Sequence, residues 1–239
     1  MNILAEFSIK KKSETADLNQ DAYSINLNNG TFAIADGVST APFSEIWSKL
    51  VVNKFVKNPL NTNDSVITSS WLDYIRKEWI SEVQKKESVD DLIREVAEEE
   101  GSATTFLGGI FDKKNKGKKL DIYAIGDSNM FILRKNRIID SFPIELSGTF
   151  SDMTRAVYSI KKNDENESFS SKTFHLFKND IIILATDALA KWITDSTNLG
   201  QKPWNKILKN KNSIEKFIDE LRATNKIDDD DTTCVILQI

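Results

Sequence analysis

Apolar positions alternate or form short continuous runs at both ends of the chain, and recur every three or four residues between them. A period of two is typical of β-strands and a period near 3.6 of amphipathic helices. The first part of the chain is therefore predicted to contain strands at residues 3–10, 22–27 and 31–35, and helices at 43–57, 71–85 and 92–99. Asn28-Asn29-Gly30 predicts a hairpin turn, because Asn and Gly tolerate positive φ.

The second part of the chain returns to strand-like patterns. Strands are predicted at residues 104–111, 121–125, 130–134, 137–140, 173–177, 181–185 and 232–239, and helices at 189–194 and 213–221. The basic tract 112–119 is interpreted as a solvated hairpin loop, although it could also bind an anion. Residues 147–171 are polar and poorly periodic, which predicts a mobile surface segment suited to recognition. No repeat or linker divides residues 1–239, so we expect one α+β domain with sheets packed on helices.

Composition narrows the possible chemistry. With 32 basic and 36 acidic residues, the net charge is −4, which argues against a nucleic-acid partner. One cysteine, Cys234, and one histidine, His175, exclude zinc sites built from several thiolates or imidazoles, so any metal must have oxygen ligands. Cys234 is expected in the core of the last strand, and His175 in a partly buried or edge strand. No apolar run approaches the roughly 18 residues of a membrane span, so we expect a soluble, cytoplasmic protein.

Aspartates stand repeatedly at predicted strand boundaries. Asp36 and Asp187 follow strands, Asp230 precedes the last one, Asp21 opens the second, and Asp127 lies between two. Each could simply be a turn residue, because Asp hydrogen-bonds to its own backbone in turns. If these strand ends meet at one edge of a sheet, they could instead hold a hard cation. Spacing alone leaves both interpretations open.

Six short segments containing these aspartates resemble, in order, the signatures of the protein phosphatase 2C family. They are residues 19–22 (Asn-Gln-Asp-Ala), 32–38 (Phe-Ala-Ile-Ala-Asp-Gly-Val), 101–105 (Gly-Ser-Ala-Thr-Thr), 125–128 (Ile-Gly-Asp-Ser), 184–189 (Leu-Ala-Thr-Asp-Ala-Leu) and 230–233 (Asp-Asp-Thr-Thr). Each is weak by itself, but the ordered set runs from about residue 15 to the C-terminus. The chain resembles a bacterial-type, single-domain member.

The resemblance implies a four-layer α-β-β-α sandwich, with two antiparallel sheets between helix pairs and a metal centre at one end. Asp36 would bridge two Mn²⁺ or Mg²⁺ ions, and the carbonyl of Gly37 would contact one of them. Asp187 and Asp230 would hold the other. Asp21 would hydrogen-bond metal waters, and Asp127 would bind a third, weaker ion together with Asp187.

The implied activity is metal-dependent hydrolysis of phosphoserine and phosphothreonine in a protein substrate. A hydroxide bridging the two ions would attack phosphorus without a protein nucleophile. The enzyme is expected to act in trans as a monomer in a signalling circuit. The alternative is a catalytically weak, pseudophosphatase-like domain that binds a regulatory partner through the same surface.

Three positions depart from the family pattern. Ala16 stands where many members have an arginine that grips the substrate phosphate, a role for which Lys10, Lys11, Lys12 and Arg155 are the candidates. Val38 cannot donate a proton, unlike the histidine found there in some members. Ala188 replaces a glycine, which predicts a small backbone difference at Asp187.

Overall fold

A computed structural model of the protein describes residues 1–12, 18–60, 69–86, 91–112, 118–150, 155–161 and 169–239. Its strands are β1 (Asn2–Ile9), β2 (Ala22–Asn26), β3 (Thr31–Ala35), β4 (Ala103–Thr104), β5 (Phe106–Asp112), β6 (Lys118–Ile125), β7 (Asn129–Arg134), β8 (Arg137–Phe142), β9 (Val157–Tyr158), β10 (Ser170–Leu176), β11 (Ile181–Ala185) and β12 (Thr232–Gln238). Its α-helices are α1 (Ser44–Lys57), α2 (Ser69–Gln84), α3 (Asp91–Glu100), α4 (Asp187–Asn198), α5 (Pro203–Lys209) and α6 (Ile214–Ala223).

Two five-stranded antiparallel sheets form the centre of the molecule. The first has the order β1-β12-β11-β7-β8, and the second the order β10-β6-β5-β3-β2. Side chains from the facing surfaces form a buried core that includes Phe32, Leu120, Ile132, Leu184 and Val235. Alternate residues of the same strands point outward, as expected from the two-residue period of a strand.

Helices cover both outer surfaces. On the second sheet, Trp47 and Phe55 of α1 and Trp79 of α2 pack with Phe106 and other strand residues. On the first sheet, Leu189, Ile207 and Ile218 of α4, α5 and α6 contribute to a separate core. The predicted four-layer α-β-β-α sandwich is therefore confirmed. Because both faces of each sheet are buried, central strands such as Ile181–Ala185 are continuously apolar.

Most predicted elements occur in the structure, with two corrections. Helix α5 was not predicted, because seven residues beginning with Pro203 are too short to show a clear helical period. The interpretation of residues 147–171 as a surface segment is wrong for residues 156–159: Ala156, Val157 and Ser159 are buried, and β9 pairs with β4. Residues 113–117, within the predicted basic loop, lie outside the described residues.

The lone cysteine and histidine lie where the pattern places them. Cys234 is buried in β12, the strand between β1 and β11. His175 is exposed on β10, which is an edge strand. No helix among the described residues combines the length and apolar character needed to cross a membrane.

Candidate active site

Strand register brings four of the predicted aspartates to one end of the sandwich. Ala185 of β11 lies opposite Cys234 near the start of β12 and opposite Asn129 at the start of β7. In the other sheet, β3 and β6 both end at this same end of the sandwich. The residues following or preceding these ends, Asp36, Asp127, Asp187 and Asp230, line one cavity of about 220 Å³. The predicted convergence is thus observed.

Asp36 is held by the segment that follows Gly101. Its carbonyl accepts hydrogen bonds from the Thr105 backbone N–H and the Thr104 hydroxyl, both at 2.8 Å. Its own N–H donates to Thr105 Oγ1 at 3.1 Å. The two threonines therefore fix the backbone at Asp36, which explains why the Gly-Ser-Ala-Thr-Thr segment accompanies the aspartates in the sequence.

Gly37 is needed for close backbone approach. Its N–H donates to the Gln20 carbonyl at 3.1 Å. A Cβ at this position would lie 2.7 Å from that carbonyl oxygen and 3.0 Å from Ser44. Any side chain at position 37 would push β3 away from the Asn19-Gln20-Asp21 segment. Gly37 also lines the cavity, which is where its predicted carbonyl role requires it.

Asp127 and Asp187 are placed by the turns that contain them. Gly126 has a φ of +100°, and a Cβ there would meet Thr105 at 2.6 Å, so glycine is required before Asp127. Asp187 is the first residue of α4, and its Oδ1 accepts a hydrogen bond from the Ala188 N–H at 2.5 Å. Ala188 lies within that helix and has no positive φ. The backbone difference expected from this alanine is therefore not required.

Asp21 lies behind the cavity and does not line it. It is only 3% exposed, and its Oδ2 accepts a hydrogen bond from the Thr186 hydroxyl at 2.9 Å. Thr186 in turn accepts from the Thr233 N–H, so Asp21 is tied to both β11 and β12. Its other oxygen, Oδ1, is buried without a hydrogen-bond partner. A buried carboxylate oxygen normally accepts a hydrogen bond, and a water molecule bound to a cation could donate one here.

The loop that carries Asp230 is stabilised by two residues that sequence reasoning did not single out. Asp231 is 3% exposed, and its carboxylate accepts the backbone N–H groups of Lys11 at 2.8 Å and Gln20 at 2.7 Å. Arg222 of α6 donates to the carbonyls of Asp230 at 2.6 Å and Lys10 at 3.0 Å. These contacts join residues about 10 to 220 positions apart in the sequence, so no local sequence pattern predicts them.

The crowded carboxylates raise one another's pKa. Burial, followed by the charges of Asp21, Asp187 and Asp230, raises the pKa of Asp36 well above its ordinary value. Burial and the charge of Asp187 raise the pKa of Asp127 to about 6. Such a set favours a cation, which would cancel the repulsion.

The donor set fits hard divalent ions. All its side-chain ligands are oxygens, and Asp21 Oδ1 behind the cavity lacks the hydrogen-bond donor that a metal-bound water would supply. Within the described residues, no three His, Cys, Asp or Glu side chains already surround a single point as a ready-made ligand cluster. The fit therefore rests on the chemistry of the pocket carboxylates and on Asp21, with water completing the coordination.

The raised pKa values predict that the metal-free protein becomes more stable as pH falls. The pKa of Asp127 is about 6 in the folded protein and near 3.8 in the unfolded chain, so the folded state takes up the proton first as the pH falls. The free energy of unfolding therefore increases between pH 7.5 and pH 5. Asp127 alone contributes about 1.4 kcal/mol over this window. Thermal unfolding in EDTA should show a higher Tm at pH 5 than at pH 7.5, with a smaller difference in Asp127→Asn. An equal difference in both proteins would contradict this account of Asp127.

Ala16 and Val38, two of the positions that depart from the family pattern, differ in what the structure shows of them. Ala16 lies outside the described residues. Val38 lines the cavity and offers no proton donor. Two lysines stand at the site instead: Lys191, which was not predicted, lines the cavity, and Lys11 approaches it from the end of β1. Lys191 follows Asp187 by one helical turn, a spacing that could have indicated it.

Comparisons with known proteins identify the family of this chain. The family model described as Protein phosphatase 2C matches residues 10–231. No match is found among curated proteins. Among solved structures, the serine/threonine phosphatase Stp1 from Staphylococcus aureus is 17% identical, with a TM-score of 0.63 over 100% of this chain and 96% of that one.

Two further solved structures are similar over nearly their whole length. The serine/threonine phosphatase PstP/Ppp of Mycobacterium tuberculosis is 16% identical, with a TM-score of 0.59 over 98% of this chain and 97% of that one. The catalytic domain of PstP, solved in complex with two manganese ions, is 18% identical, with a TM-score of 0.58 over 97% and 95%. At these identities the likeness shows the fold alone, whereas the family match covers most of the sequence. The chain belongs to the protein phosphatase 2C family and is a protein phosphatase.

Proposed function

We propose that this phosphatase hydrolyses phosphoserine and phosphothreonine in proteins with two divalent ions, Mn²⁺ or Mg²⁺, held at the acidic cavity. The observation that carries the proposal is the convergence of Asp36, Asp127, Asp187 and Asp230 on one cavity, with the unpartnered Asp21 oxygen behind it. Four carboxylates this close would repel one another strongly without cations. The PstP structure with two manganese ions gives a precedent in the same fold.

Each residue has a proposed role toward the ions. Asp36 would contact both ions, the carbonyl of Gly37 would contact one, and Asp187 and Asp230 would hold the other. Asp21 would accept a hydrogen bond from a coordinated water, and Asp127 would bind a third, weaker ion with Asp187. When bound, the ions supply positive charge for the phosphate and lower the pKa of a water molecule.

The proposed attack on phosphorus is by water, and the positions of the cysteine and the histidine argue against either of them as a nucleophile. Cys234, the only cysteine, is fully buried in β12, where burial raises the pKa of its thiol. His175, the only histidine, is on β10 and does not line the cavity. With Val38 in place of a side-chain donor, we propose that a water molecule within the site protonates the leaving group.

The proposal also includes the wider setting predicted from the sequence. Residues 1–239 would act as one catalytic domain, as a monomer in the cytoplasm, on a separate phosphoprotein in a signalling circuit. The comparisons give no support to the alternative of a regulatory domain with little or no activity.

Hydrolysis of a phosphothreonine peptide, with and without Mn²⁺, tests the proposed function. Phosphate release should depend on Mn²⁺ or Mg²⁺ and stop when EDTA is added. Tight Mn²⁺ binding without turnover of any phosphopeptide would favour the regulatory alternative. Turnover that persists in EDTA would contradict the metal-dependent mechanism.

A further inference from the structure

The substrate phosphate needs a positive side chain, and the cavity offers few. Among the residues that the structure describes, its lining has four carboxylates and one lysine, Lys191. A phosphomonoester carries up to two negative charges, so side chains that complement it must be cationic or hydrogen-bond donors. Position 16, where many family members have an arginine, is an alanine in this chain.

Lys11 enters the site from the end of β1. Its Nζ lies 3.5 Å from Ser39 Oγ and 3.8 Å from Asp230 Oδ1, and both of these residues line the cavity. A third contact, at 3.3 Å, joins it to Gln20 Oε1. These three contacts are long for an ammonium group, so turning an N–H donor toward a phosphate oxygen would break no short hydrogen bond to Ser39, Asp230 or Gln20.

The backbone at Lys11 is fixed. Its N–H donates to Asp231 Oδ1 at 2.8 Å, and the other oxygen of that carboxylate accepts the Gln20 N–H at 2.7 Å. Arg222 holds the adjacent Lys10 carbonyl. The Lys11 side chain itself is only 15% exposed. A partly buried ammonium on a fixed backbone loses little conformational freedom when it binds a ligand.

The other candidate lysines lack this arrangement. The Lys12 side chain is 54% exposed, and its Nζ lies 3.9 Å from Asp219 on α6, outside the cavity lining. The Lys191 side chain is 56% exposed, and its Nζ lies 3.7 Å from Asp228, which is itself 77% exposed. Exposed pairs of this kind are weak and screened by salt.

We propose that the Lys11 ammonium binds the phosphoryl group of the substrate, replacing in function the arginine absent at position 16. This inference rests on the proposed phosphatase function. The Lys11 ammonium is a compact charge, whereas an arginine guanidinium donates two parallel hydrogen bonds. Lys11 would therefore stabilise the charge of the phosphate but fix the orientation of the phosphate less well. Ser39 and Gln20, which contact Nζ, would keep the ammonium at the cavity.

The test compares Lys11→Gln and Lys11→Arg with Lys12→Gln as the matched control, all loaded with Mn²⁺. Lys11→Gln should raise KM for a phosphothreonine peptide, and Ki for inorganic phosphate, by about tenfold or more, with a smaller change in kcat. Lys11→Arg should restore most of this affinity, and Lys12→Gln should leave both constants unchanged. The Asp231 contact uses the backbone N–H, so the fold should survive in all three variants; thermal unfolding checks this.

Two results would overturn the inference. One is an unchanged Ki and KM in Lys11→Gln. The other is tighter Mn²⁺ binding with unchanged KM, which would make Lys11 a counter-charge for Asp230 and no more. Calorimetric titration of the Mn²⁺-loaded proteins with inorganic phosphate tests the role of Lys11 separately from the proposed phosphatase function. If the wild-type protein hydrolyses no phosphopeptide, the proposed function fails. A loss of phosphate affinity in Lys11→Gln would still show that Lys11 binds phosphate.

Discussion

Replacing Asp36 by asparagine is expected to lower phosphopeptide hydrolysis by about a thousandfold or more, which corresponds to roughly 4 kcal/mol of transition-state stabilisation. Asp36 lies among four other carboxylates, whose charges all raise its pKa. In the proposed centre it is the one side chain shared by both ions. An amide of the same shape would keep the backbone contacts to Thr104 and Thr105 but would lose the charge.

Loss of folding can be separated from loss of chemistry in this experiment. Because Asp36→Asn removes one of several repelling charges, its Tm in EDTA should equal or exceed that of the wild type. Asp140→Asn is the matched control, since Asp140 pairs with Lys172 at 3.0 Å on the two edge strands and lies outside the cavity. Its activity should be unchanged. Near-normal Mn²⁺-dependent turnover by Asp36→Asn would remove Asp36 from the catalytic centre.

Replacing Arg222 by methionine should give the largest loss of stability among the site's supporting residues. Arg222 is 7% exposed and donates to the Asp230 carbonyl and the Thr232 hydroxyl, at 2.6 and 3.1 Å, and to the Lys10 carbonyl at 3.0 Å. Methionine keeps the apolar stem but removes the hydrogen bonds that the guanidinium donates to these three acceptors. The expected cost is about 3 kcal/mol, a fall in Tm of roughly 6 to 12 °C for a chain of this size.

The same substitution should weaken the site, because Arg222 joins the end of β1 to the loop carrying Asp230. Below the melting transition, Arg222→Met is expected to bind Mn²⁺ less tightly than the wild type. Arg134→Met is the control: Arg134 donates to a buried carboxylate, Asp180, at 2.7 Å, but at the end of β7 away from Asn129. It should lose stability without losing Mn²⁺ affinity. Equal losses of affinity in both variants would show that Arg222 acts through general stability.

The layers of this fold could be predicted because burial imposes clear local patterns. The run Ile181–Ala185 is apolar at every position, since one face meets the other sheet and the opposite face meets α4. Trp47 and Phe55 recur at helical spacing because α1 packs on the second sheet along one face. By contrast, β4 and β9 have two residues each, and their pairing depends on contacts between segments about 55 positions apart. No window of sequence contains that information.

The residues of the candidate site also fall into two groups, those that local sequence predicts and those that it does not. Asp36, Asp127, Asp187 and Asp230 could be picked out because each lies next to a strand end, and the ordered motifs gave them roles. Thr186 and Asp231 could not, although both lie inside those motifs, because their importance comes from partners such as Asp21, 165 positions away from Thr186. Lys11 was one of four candidates for the phosphate contact. Only the three-dimensional structure distinguishes it from Lys12, whose side chain turns toward Asp219.

Titration of the EDTA-treated protein with Mn²⁺, followed by calorimetry and by phosphopeptide turnover in the same samples, tests the central claim most directly. We expect at least two ions to bind per chain and turnover to appear as they bind, with both signals lost in Asp36→Asn. If the wild-type protein binds fewer than two Mn²⁺ ions, or if its turnover does not follow their binding, then the proposed two-metal centre at Asp36, Asp187 and Asp230 is wrong.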